Sequence, residues 1–274
     1  MKETLTRALS GALYVILLLV VLWLPNPYLF KGLFFIFGLF GVYELQKLLG
    51  LKSYLSYLIF VIFYLFFSVL DSDEYLSSST LILNTLLVLT LLIKSLLLRD
   101  LVIVSRIPLF EEKKYLVVIF YLISSFIFIT RIPFFNGDYE PLLLLGIFIM
   151  IWTNDTFAYL VGKSIGKRKL FERISPKKTV EGFLGGFIFT LITAIILANY
   201  LPLLTLAQWI ILGALSSIFG TWGDLIQSKL KRQAGVKDSG NLMPGHGGIL
   251  DRLDSILYTA TFAYTYLYFI KYVS

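Results

Sequence analysis

Long apolar runs alternate along the chain with short segments that hold nearly all of its charge. Runs long enough for the roughly 30 Å hydrocarbon core of a bilayer fall at 8–24, 28–43, 54–70, 79–98, 115–130, 141–162, 180–200, 204–226 and 252–270. They predict an all-α, polytopic integral membrane protein with about nine transmembrane helices, since a spanning segment must satisfy its backbone hydrogen bonds internally. The second and fifth runs are short, and Arg106-Ile107-Pro108 and Arg131-Ile132-Pro133 punctuate the region around the fifth. The first run follows Lys2 and Arg7 as a signal peptide would. It ends in Trp23-Leu24-Pro25-Asn26-Pro27 without a small-residue cleavage site, so it reads as a retained helix anchored by Trp23.

Charge supplies an orientation. With the N-terminus in the cytoplasm, nine crossings put the segments near 44–53, 94–114, 163–179 and 227–251 inside, together with 21 of the 24 Lys and Arg residues. Lys31, Arg131 and Lys271 fall outside, as does the acidic Asp71-Ser-Asp-Glu74 loop, in keeping with the positive-inside rule. This predicts a multi-pass protein of the cytoplasmic (inner) membrane, with its N-terminus and active site on the cytoplasmic side.

Composition narrows the function classes. The 274 residues are 58% hydrophobic and 15% charged, with a mean hydropathy of +0.83, which no water-soluble globule could bury. A net charge of +7 would suit a nucleic-acid binder, but cytoplasmic loops account for it here, so no nucleic-acid partner is expected. The absence of cysteine excludes disulfides, thiolate metal sites and cysteine nucleophiles.

The halves differ. Residues 1–140 read as apolar helices with charge confined to connections, a scaffold and a candidate homodimer contact. Residues 141–274 read as the catalytic part, with loops 163–179 and 227–251, because Asn154, Asp155, Lys163, Glu181, Asp224, Asp251 and Asp254 enter or border its membrane segments.

Two stretches there carry candidate chemistry. In the one from Ser228 to Asp254, Lys231, Arg232 and Lys237 supply positive charge, and Gly240, Gly245, Gly247 and Gly248 permit backbone N–H groups to turn toward phosphate. Asp251 and Asp254 share a helix face and suit a hard divalent cation such as Mg²⁺, which takes one or two carboxylates and leaves other positions to water and phosphate. The plainer reading is a basic connector in which Asp251 favours a helix N-terminus. Asp224, near the end of an apolar helix, is either a third metal ligand or an interfacial acid. His246 is either a phosphate contact or general acid, or a loop residue without a role. The other stretch, Ser175-Pro-Lys-Lys-Thr-Val-Glu-Gly182, reads as a helix entry with Ser175 as cap and Pro176 in the first turn, where Lys177, Lys178 and Thr179 form an anion trap. A topogenic basic loop is the alternative.

The stretch from Ser228 to Asp254 resembles the signature of the phosphatidate cytidylyltransferase (CDP-diacylglycerol synthase) family: Ser-x-aliphatic-Lys-Arg, four residues, Lys-Asp-x-small, then Pro-x-His-Gly-Gly-aliphatic-x-Asp-Arg-aliphatic-Asp. The one departure is Met243 where another apolar residue is usual. Ser175–Gly182 and Asn154-Asp155 also look like elements of that family, and the resemblance covers roughly residues 147–260. It implies a Mg²⁺-dependent reaction, with room for a second cation, in which CTP and phosphatidic acid give CDP-diacylglycerol and pyrophosphate at the membrane surface. On that resemblance Asp224, Asp251 and Asp254 hold metal. Lys231, Arg232 and Lys237 hold triphosphate or pyrophosphate near His246 and Arg252. Ser175, Lys177, Lys178 and Thr179 hold the lipid phosphate or the nucleotide, beside Gly247 and Gly248. Asp155 and Asp238 are supporting carboxylates. Because the lipid stays in the bilayer while CTP arrives from the cytosol, a polar, cytoplasm-facing funnel is expected between helices six to nine.

The sequence leaves three rivals. A CDP-alcohol phosphotransferase needs a different aspartate spacing, and position 255 here is Ser. A cation-coupled transporter needs polarity through the whole membrane depth, whereas here it gathers toward one side. A CTP-dependent polyprenol or phytol kinase-like enzyme shares the nucleotide logic and stands as runner-up.

Overall fold

A computed structural model describes residues 2–70, 77–243, 245 and 247–273. Its elements are α1 (Lys2–Trp23), α2 (Pro27–Leu49), α3 (Tyr54–Tyr64), α4 (Ser77–Ile103), α5 (Glu111–Leu116), α6 (Ser124–Arg131), α7 (Pro141–Ile165), β1 (Lys169–Phe171), β2 (Ser175–Thr179), α8 (Val180–Tyr200), α9 (Leu206–Gln233) and α10 (Leu250–Val273). A π-helical turn, Leu65–Leu70, extends α3, and another, Val117–Ile123, joins α5 to α6. Each of the nine expected runs lies in one helical stretch, overrunning it by at most two residues. Among the described residues six stretches are long and apolar enough to cross a membrane: Pro27–Leu49, Thr80–Ile103, Glu111–Phe134, Pro141–Ile165, Val180–Tyr200 and Leu206–Gln233. The molecule is an all-α, multi-pass membrane protein apart from one hairpin. The acidic loop Asp71–Glu74 lies outside the described residues.

Local chemistry sets the helix ends. Asn26 accepts from the N–H groups of Tyr28 and Leu29, Pro27 fits the first turn, and Gly50 closes α2 at φ +61°. Thr205 and Gln208 form a reciprocal capping box at the start of α9. The α7–α8 seam depends on missing side chains. A Cβ on Gly182 would press on the Ala158 carbonyl, and one on Gly186 on the Asn154 carbonyl. Small residues let membrane helices approach this closely.

Several expectations are corrected. The connections are shorter than 94–114 and 227–251, because α4 continues to Ile103 and α9 to Gln233. Lys94 is not a loop residue but is wholly buried in α4. Its ammonium donates to Ser125 Oγ (2.8 Å), the Leu257 carbonyl (2.6 Å) and Thr261 Oγ1 (2.6 Å), acceptors that compensate the loss of water. Glu44 and Asp100 are buried too, so charge in the first 140 residues is not confined to connections. Finally, Ser175 and Pro176 do not start a helix. They belong to β2, which pairs antiparallel with β1 through Lys169↔Thr179 and Phe171↔Ser175. A residue before proline avoids the helical region, and it is Thr179 that caps α8, accepting from Gly182 N–H at 3.1 Å.

Candidate active site

Helices α7 to α10 and the hairpin enclose a cavity of about 660 Å³. Of the expected residues, Asp155, Ser175, Lys177, Lys178, Thr179, Asp224, Asp251 and Asp254 line it. The two stretches singled out in the sequence therefore meet, although some fifty positions separate them.

Each wall is held by its own chemistry. On α7, buried Asn154 accepts from Ser217 Oγ (2.5 Å) and donates to Thr221 Oγ1 (3.2 Å), both on α9. That cross-link leaves the next residue, Asp155, turned into the cavity. The hairpin is fastened at its base by Glu181, which accepts from the N–H groups of Lys167 (3.0 Å) and Arg168 (3.1 Å) and pairs with the Arg168 guanidinium (3.0 Å).

Lysine and carboxylate pair across the cavity. Lys178 Nζ lies 2.5 Å from Asp224 Oδ2, and Ser228 donates to Asp224 Oδ1 at 3.1 Å. Burial works against the Lys178 ammonium, but the charge and hydrogen bond of Asp224 outweigh it and hold the pKa above its usual value. Lys231 Nζ lies 2.6 Å from Asp251 Oδ1. The other oxygen of Asp251 accepts from Ser239 N–H (2.7 Å), Ser239 Oγ (3.0 Å) and Gly248 N–H (2.9 Å). Gly247, at φ +86°, brings the backbone so close that a Cβ there would overlap Asp251. Asp155 and Asp254 also line the cavity, and among the described residues neither forms an ion pair. No three acidic or histidine side chains among the described residues gather at metal-holding spacing. The donor set nonetheless fits a hard cation in its chemistry: carboxylate oxygens, two of the four groups outside any ion pair.

Other expected residues lie elsewhere. Lys237 and Asp238 are exposed and outside the cavity lining. Arg252 is half-buried at the start of α10, its carbonyl 3.5 Å from the Tyr14 hydroxyl. Arg232 faces a different cavity. His246 lies outside the described residues.

Sequence reasoning missed Glu44. From α2 it accepts from Ile249 N–H (3.0 Å), Leu250 N–H (2.9 Å) and Ser239 Oγ (2.8 Å), capping α10 and clamping the loop that carries Gly247 and Gly248. A lone carboxylate at the end of an apolar helix was the available signal.

Fold and cavity together define a multi-pass membrane protein with a lysine- and aspartate-lined chamber. The chain belongs to the cytidylyltransferase family, whose model matches residues 5–270. It is similar to a phosphatidate cytidylyltransferase of Bacillus subtilis (strain 168), 52% identical over 118 residues, 42% of this chain and 44% of the relative. A phosphatidate cytidylyltransferase of Staphylococcus aureus (strain COL) is 49% identical over 113 residues, 40% and 43% of the two chains. An uncharacterized protein of Escherichia coli (strain K12), YnbB, is 41% identical over 150 residues, 55% and 49%. The matches span about half the length of these curated relatives or less.

Proposed function

We propose that this chain transfers the cytidylyl group of CTP to phosphatidic acid, forming CDP-diacylglycerol and pyrophosphate for phospholipid synthesis. A phosphate oxygen of the lipid attacks the α-phosphorus of CTP. The new O–P bond forms as the bond from the α-phosphorus to the bridging oxygen breaks, and that oxygen leaves with pyrophosphate. Both reactants are polyanions, so the protein's task is positioning and charge stabilisation. The observation that carries the reading is the meeting of Lys177 and Lys178 with four aspartates in one chamber, one of which, Asp251, is paired with Lys231 behind the lining.

In this reading Lys177 and Lys178, with Ser175 and Thr179, take one phosphate group, and Lys231 takes another. A bound Mg²⁺ would neutralise phosphate oxygens, held by Asp224 and Asp254, with Asp251 available through Oδ1 once Lys231 turns to phosphate and Asp155 in support. Lys237, Asp238, His246 and Arg252 would act from the loop and the start of α10. Nine crossings, a cytoplasmic N-terminus and a chamber open to cytosol and lipid belong to the same proposal, supported by where Lys and Arg fall. So does the division near residue 140: among the described residues none before Asn154 lines the cavity, which leaves the earlier helices as scaffold and as the contact for a second copy.

The test is purified protein with phosphatidate, Mg²⁺ and CTP labelled at the α- or the γ-phosphate. The α-label should enter a lipid-soluble product only when phosphatidate is present, and Asp224→Asn should lower the rate at least about 100-fold. Transfer of the γ-label to lipid instead would replace this reading with the kinase-like one, and no lipid product in the unaltered protein would end it.

A further inference from the structure

A second cavity, of about 530 Å³, shares α9 and the hairpin with the first but none of its lining residues. Its walls are the last turn of α4 with the chain just after it, the hairpin turn and α9. They present Arg106, Arg173, Lys229 and Arg232 against a single acid, Glu172.

The backbone acceptors at the end of α4 are already taken. Lys229 reaches the carbonyls of Asp100 (2.7 Å), Leu101 (3.2 Å) and Val104 (2.5 Å), consuming the free end of α4. Gln233 pins the connection to α9, accepting from Ile107 N–H (3.0 Å) and donating to its carbonyl (2.8 Å). Arg106 is thereby held on the same cavity as Arg232. Among the described residues Arg106 and Arg173 make no hydrogen bond or ion pair, and the guanidinium of Arg232 donates only to the Val236 carbonyl, at 3.3 Å. Three exposed guanidinium groups thus line one cavity, and their planar forks match phosphate oxygens. A basic loop serving topology alone would have no need of the Gln233 clamp.

We propose that this cavity is a second phosphate site, which takes a phosphate-bearing anion, either free in solution or on the headgroup of an anionic lipid. Its occupant would brace the hairpin turn, and through it the strand that presents Lys177 and Lys178 to the first cavity. Binding here does not depend on the catalytic reading, so failure of that reading would leave the site standing.

The experiment uses the full chain with Lys177→Gln and Lys178→Gln, which weaken phosphate binding in the first cavity. Calorimetric titration with inorganic pyrophosphate reads the free anion. Retention of phosphatidylglycerol against phosphatidylcholine after purification from mixed vesicles reads the headgroup. Adding Arg106→Gln and Arg173→Gln should weaken one of these two at least about tenfold, and Arg106→Lys with Arg173→Lys should restore part of it. Loss of pyrophosphate binding alone assigns a soluble ligand, and loss of phosphatidylglycerol alone assigns a lipid. If both are unchanged in protein that melts at the parental temperature, the proposal is wrong. Should the double variant fail to fold, exposed Arg173→Gln alone gives the same reading.

Discussion

At Ser239 two carboxylates meet one hydroxyl: its oxygen is 2.8 Å from Glu44 Oε2 and 3.0 Å from Asp251 Oδ2. A hydroxyl has one proton to give, so it serves one acid at a time and couples the clamp on the loop to the aspartate in the cavity. Glu44→Gln keeps the volume but removes the charge and turns an amide toward backbone N–H groups that need acceptors. Loss of charge-assisted bonds at this buried site should cost about 2 kcal/mol, measured by thermal unfolding, and should speed hydrogen exchange at the amides of Ile249 and Leu250. Unchanged exchange there would show that Glu44 does not hold the loop. Such a residue is hard to find in sequence because its partners lie 195 and more positions away. It also fell one position past the expected end of the second apolar run. Lys178 and Asp224 both stand out in the sequence, but their pairing with each other depends on how α9 lies beside the hairpin, which no spacing along the chain encodes.

Helices were legible and the hairpin was not, for a physical reason. A spanning helix announces itself by some twenty apolar positions, whereas β1 and β2 together have eight residues, bury only Thr179, and carry lysines that read as a basic loop. The order Ser-Pro suggested a cap and first turn at Ser175, but the chain stays extended until Thr179. These alternatives make different predictions. Thr179→Val removes only the oxygen that accepts from Gly182 N–H, and should destabilise the protein by about 1 kcal/mol, roughly 3 °C in melting temperature for a chain of this size. Ser175→Ala should leave it within about 0.5 kcal/mol. Thermal unfolding of the two variants in detergent decides the matter: equal losses, or a larger loss at Ser175, would contradict a helix that starts at Val180. The glycine seam between α7 and α8 was equally silent in sequence, since a glycine shows its use only when the facing backbone is known.

For the whole molecule, orientation follows from how charge is distributed, and here the structure sharpens the count. Lys94 leaves the inside total because its ammonium is enclosed by α4, α6 and α10 rather than exposed in a loop. Arg173, Lys177 and Lys178 of the hairpin and Lys229 and Arg232 of α9 line the two cavities, and their removal to the outer face would oppose the charge asymmetry that governs insertion. With the chamber facing the cytosol, Glu172 at the hairpin turn and Asn241 in the connection to α10 lie inside, while Asp138, before α7, lies outside. All three are exposed or nearly so, and the protein has no cysteine of its own, so single introduced thiols can be read without background. Glu172→Cys and Asn241→Cys should react with a membrane-impermeant maleimide only in inverted vesicles or after lysis, and Asp138→Cys in intact cells. Reaction of positions 138 and 172 from the same side would require α7 to end on the face where it began, and the proposed chamber would lose its route to CTP.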